Sequence, residues 1–156
     1  MDSRLYPQGK GAASERYIND VLVQFGMARE LRQRVAAAAL TTTGGLFTEL
    51  PALPGVRWRL LDFIMIAIGG NATTSTSINI YGTRAAAVVE LAVVAVAALT
   101  RSAVVRGGAA NAVVLADGAS FTQLDANTPV GYKAPGATLT VATHIDFIIK
   151  YVADPA

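Results

Sequence analysis

The side chains that could do chemistry in this chain are few and scattered. Its single histidine, His144, stands two positions before Asp146. Side chains at i and i+2 of a strand share a face, so an imidazole–carboxylate pair is geometrically available there. Such a pair needs a nucleophile to activate, and no serine sits in a G-x-S-x-G elbow. The two residues read instead as the polar outer face of a strand. Asp62 and Glu90 are acids set inside apolar runs. A buried carboxylate must find a partner or shift its pKa. Arg57, Arg59 and Arg84 are the candidate partners, and a structural ion pair or an interface contact is preferred over the paired carboxylates of a glycosidase.

Metal and phosphate chemistry are equally poorly provided for. The chain has no cysteine, which removes disulfides, thiolate nucleophiles and thiolate metal sites together. One histidine cannot build a zinc site, which argues against a metal cupin. Asp117 and Asp125 lack the clustered oxygens and spacing of a calcium loop, and Asp117-Gly118 reads as a turn. Gly69-Gly70 and Gly107-Gly108 lack the lysine and spacing of a phosphate loop and also read as turns. Trp58, the sole tryptophan, is a core residue by default and gives no stacking platform for nucleic acid. No catalytic, cofactor-binding or metal-binding residue is assigned, and neither enzymatic activity nor a cofactor is expected.

The elements that would carry these residues divide the 156-residue chain into three stretches. Residues 1–45 read as an extended arm followed by an amphipathic helix over Ser14 to Leu40. Ile18, Val21, Leu22, Phe25, Ala28, Leu31 and Val35 recur at spacings of three and four. Residues 46–55, with Pro51, Pro54 and Gly55, read as a linker. Residues 56–156 read as the main body. Val56 to Ile68 is a β-branched and aromatic run bounded by Gly69-Gly70, and predicts a buried strand. Ser77 to Tyr81 alternates. Ala85 to Thr100 mixes alanine with valine, and its stiff valines favour a strand. Ala112 to Ala116 predicts a short strand, with Ser120 to Leu124 pairing back across Asp117-Gly118. From Thr138 to Val152 apolar residues fall at odd positions, which predicts one long strand with Leu139, Val141, Ile145 and Phe147 facing the core. Short strands joined by Gly- and Pro-rich turns give a mainly β fold, a β-sandwich or jelly roll.

Hydrophobic residues make up 53% of the chain and charged residues 15%, against about 25% charged in an ordinary soluble domain. So few charges cannot cover a monomer comfortably, and partner chains are expected over part of the surface. The predicted contacts are Ile18, Leu22, Phe25, Arg29, Leu31, Arg32 and Arg34. A membrane partner is not expected: Ala85 to Leu99 is interrupted by Glu90 and is shorter than the roughly 20 apolar residues of a spanning helix. The N-terminus shows no apolar signal-peptide core, which predicts a soluble chain not secreted by the usual route. Nucleic acid is not expected either, because the basic residues are interleaved with acids and the net charge is +2.

The closing pattern PGATLTVATHIDFIIKYV, after a polar arm and a body rich in Ala, Val, Gly and Thr, resembles the final strand of small β-sandwich virion proteins of tailed bacteriophages. Head decoration or cement proteins are the nearest in style, over roughly residues 56–152. The resemblance implies a homo-oligomer, commonly a trimer or a dimer, that bridges neighbouring major capsid subunits in a virion assembled in the host cytoplasm. Two alternatives stand beside it. One is a tail, baseplate or fibre component with a receptor-binding β-domain. The other is a cellular jelly roll with an enclosed small-molecule pocket.

Overall fold

The computed structural model describes residues 25–107, 112–113 and 121–156. They are mainly β, in antiparallel sheets. The strands are β1 (Ala28–Ala36), β2 (Gly45–Leu46), β3 (Val56–Ile68), β4 (Ala72–Thr73), β5 (Ser77–Arg84) and β6 (Ala87–Ala95). They continue with β7 (Val104–Arg106), β8 (Ala112–Val113), β9 (Gly131–Lys133), β10 (Thr140–Val141) and β11 (His144–Pro155). One sheet runs β1-β11-β3-β7, a second β2-β9-β5-β6-β8, and β10 pairs with β4 alone. Short 3-10 turns follow β1 at Ala37–Ala39 and β6 at Val96–Ala98.

The four-stranded sheet is built on β3 and β11. Phe63, Met65 and Ala67 of β3 and Ile145, Phe147 and Ile149 of β11 alternate inward and are all but inaccessible, as a period of two requires. The alternation changes phase once. Lys150 faces Asp62 but Tyr151 faces Leu60, so Leu61 is an extra residue on β3. This β-bulge lets Trp58 and Leu60, at even positions, point to the same core as Phe63 and Met65, at odd ones. The two larger sheets share that core. Phe147 of β11 stacks on Tyr132 of β9 with ring centroids 5.6 Å apart, and Phe47 meets both rings edge-on.

Residues 28–40 correct the expected helix. Ala28–Ala36 is strand β1, paired along its whole length with β11. A spacing of four between Leu31 and Val35 fits either a helical stripe or one face of a strand. The sheet decides it, because those two residues lie in the core while Glu30, Arg32 and Arg34, which alternate with them, are exposed. The part of the predicted helix before Phe25 lies outside the described residues. Leu31, Val35, Leu40, Phe47 and Leu50 all enter the same core as the residues after Val56.

The long strand expected over Thr138 to Val152 is broken. Val141 has a φ of 69° and is 66% exposed rather than core-facing, and Thr140–Val141 pairs with β4 instead of continuing into β11. Ala87–Ala95 is a strand, as its valines indicate, but Val96–Ala98 tightens into a 3-10 turn. β8 pairs with β6, and Phe121 to Leu124 forms no strand to pair back with; Asp117-Gly118 lies outside the described residues.

Candidate assembly interface

The outer face of the four-stranded sheet follows from its inner one. If Phe63, Met65 and Ala67 point in, then Ile64, Ile66 and Ile68 point out. They are half-buried. Register sets their neighbours across the sheet: Arg32, Ile148, Ile64 and Arg106 form one cross-strand row, and Arg34, Asp146, Ile66 and Val104 the next. The result is an apolar stripe of Ile64, Ile66, Ile148 and Val104, the last 53% exposed, bordered by guanidiniums on both edge strands. A shallow depression of about 260 Å³ lies on this face, lined by Arg32, Arg34, Ile66, Asp146 and Ile148 among others.

Electrostatics fix the border. Arg34 donates two hydrogen bonds to Asp146, at 2.7 and 2.8 Å. This fork holds the Asp146 carboxyl below its ordinary range, against the smaller opposing effect of burial. Arg32 bonds Glu30 on its own strand at 2.8 Å. The His144–Asp146 pair offered by the spacing is therefore not used as such. Asp146 is bound by Arg34, and His144 Nδ1 lies 2.9 Å from Thr143 Oγ1. His144 Nε2 is buried, with no hydrogen-bond partner among the described residues.

The two acids within apolar runs find structural partners. Glu90 pairs with Lys133 at 2.5 Å, a lysine that also stands 5.3 Å from the centre of the Tyr81 ring. Asp62, beside the bulge, accepts the Phe63 N–H at 2.8 Å. Arg59 pairs with Asp154 instead, at 2.9 Å, and Gln123 bonds the same carboxyl at 2.9 Å. Arg59, and secondarily Gln123, hold Asp154 below the ordinary carboxyl range against its burial.

Of the predicted contact residues, Ile18 and Leu22 lie outside the described residues. Phe25 bridges to Ala153 and packs at the margin of the core. Leu31 is in the chain's own core. Arg29, Arg32 and Arg34 are exposed on β1, which is an edge strand among the described residues. The outward isoleucines escaped the sequence reading, although a signal was present. In Phe63 to Ile68 both alternating sets of positions are apolar, which marks a strand with two apolar faces, and among the described residues no strand or helix lies over one of them. Among the described residues no group of His, Asp and Glu could hold a metal ion, and no helix is long and apolar enough to cross a membrane.

No protein-family model matches the chain, and no curated protein matches it. Among solved structures it is similar to a chain of the capsid of Ralstonia phage GP4, with a TM-score of 0.49 and 16% identity, over 82% of this chain and 85% of that one. A likeness of that size carries no functional argument.

Proposed function

We propose that this chain is a non-enzymatic structural subunit of a phage virion, a β-sandwich that decorates or cements the shell by bridging neighbouring capsid subunits. The observation that carries the reading is the outer face of the β1-β11-β3-β7 sheet. Isoleucines at Ile64, Ile66 and Ile148 line a sheet face bordered by Arg32, Arg34 and Arg106. Apolar centres rimmed by arginine are the anatomy of protein–protein contacts. The sequence resemblance of residues 56–152 supplies the virion as setting. A subunit that binds only the assembled shell stabilises that shell by mass action.

The test is twofold. Light scattering across a concentration series should give a homo-oligomer, and the purified chain should co-sediment with capsid shells of the cognate phage. A chain that stays monomeric and leaves the shells unbound sinks the reading, and moves the pocket-bearing jelly roll to first place.

A further inference from the structure

Strand β1 carries nine residues at the edge of its sheet, with β11 on one side and no described strand on the other. An open edge of that length is a template for another strand, and proteins that do not use it cover or break it. In β1 the side chains at even positions, Glu30, Arg32 and Arg34, are exposed.

The direction of its backbone groups can be read off. The Ala37 N–H donates to Thr143 O at 3.0 Å, and these residues extend the register in which Ala36 faces His144. On the far side of the sheet the Gly107 N–H donates to Phe63 O at 3.1 Å, so odd positions of β3 bond to β7 and even ones to the even positions of β11. The odd positions of β11, Ile145, Phe147 and Ile149, are left to Val35, Gln33 and Leu31, so the odd positions of β1 spend their N–H and C=O on β11. The even positions, Glu30, Arg32 and Arg34, turn theirs outward. A second strand must pair even position with even position.

Charge then selects among the two-fold registers open to a second copy of β1. Pairing Arg32 with Arg32, or Glu30 with Glu30, sets like charges opposite each other, which is unfavourable. Pairing Arg32 with Arg34 does so twice. The register with Leu31 opposite Leu31 avoids every such clash. It sets Glu30 opposite Arg32 of the partner subunit, and Arg32 opposite the partner's Glu30. It also sets Met27, 55% exposed in the single chain, opposite the partner's Val35. We infer that two copies of this chain join edge to edge through antiparallel β1 strands in this register, making one continuous eight-stranded sheet. The inference names the surface for the self-association in the reading above and rests on that part of it alone.

The chain's lack of cysteine allows a direct test. Glu30→Cys and Arg32→Cys are made as separate proteins, mixed and mildly oxidised. Only the mixture should give a covalent dimer on a non-reducing gel, because opposite strand residues lie about 5.5 Å apart, within disulfide reach. By light scattering the wild type should weigh twice the single chain. Glu30→Arg should halve that mass, and adding Arg32→Glu to it should restore the dimer. Thermal melts check that each variant is folded. A wild type of single-chain mass, no covalent dimer from the mixture, or a covalent dimer from Arg32→Cys alone each overturns the inference. If shells still bind the chain in those cases, the virion reading survives without it.

Discussion

At Ala85 and Ala86 the backbone turns from β5 into β6 with Arg84 facing Ala87, and both φ angles are positive, 53° and 59°. Two-residue hairpins of this kind favour Asn-Gly, and an L-residue with a Cβ pays about 1–2 kcal/mol for the left-handed conformation. Asp125 offsets that cost. It accepts the Ala85 N–H at 3.1 Å and the Ala86 N–H at 2.8 Å, one on each carboxylate oxygen. Ala86→Gly should therefore raise stability by about 1 kcal/mol, and Asp125→Ala should lower it by roughly 1–3 kcal/mol; urea denaturation of the two variants reads both. Acid acts on other carboxyls. Asp146 and Asp154 have folded pKa values below the ordinary 3.8, each because of its arginine. Their contribution is full above the unfolded value and is lost as pH falls through the lower folded one. Melting temperature should hold from neutral pH to about pH 4 and fall below it. Asp154→Asn should flatten the acid slope, and Arg59→Ala, at a side chain about a third exposed, should cost about 1 kcal/mol.

Among the elements, those whose residues state one period were legible and those that state two were not. Val56 to Ile68 is a strand over the very residues that its turn glycines and β-branched run mark out. Leu31 and Val35 satisfy a helix and a strand equally, and only β11, more than a hundred residues away, decides between them. Val141 keeps the odd-position pattern of Ile145 and Phe147 but is carried outward by its positive φ and its pairing with Ala72, neither of which composition reveals. The Ala85-Ala86 hairpin carries no turn residue at all, because Asp125 supplies the missing chemistry from elsewhere. The face that could bind was half legible. Its arginines stood out as charges, while its isoleucines passed for core. Close approach between elements is a further thing that only the fold reveals. A Cβ on Gly131 would lie 2.6 Å from Gly45 O and 2.6 Å from the Tyr81 ring, where β9 sits between β2 and β5. Gly131→Ala should cost roughly 1–3 kcal/mol by overpacking, measured as a lower midpoint in denaturant.

For the whole molecule, the outer face and the core can be separated by mutation. Ile64→Lys with Ile148→Lys changes outward positions only. The variant should keep the melting temperature within a few degrees and lose shell binding by at least tenfold, which co-sedimentation would show. Removing residues 1–24 leaves every described strand in place, so that chain should fold. A deletion to residue 40 would take β1 with it and expose one side of β11. The position of β11 has a further consequence, in the order of manufacture. This strand lies between β1 and β3, yet it emerges from the ribosome after both. Until it does, β1 and β3 have no partner in common, and their apolar residues wait on a contact distant in sequence. A chain whose translation stops before His144 lacks the strand that joins β1 to β3, and so has no four-stranded face to offer a neighbour. Strand order thus makes a chain that runs through β11 the smallest unit able to present that face, and copies ended before it lack the face.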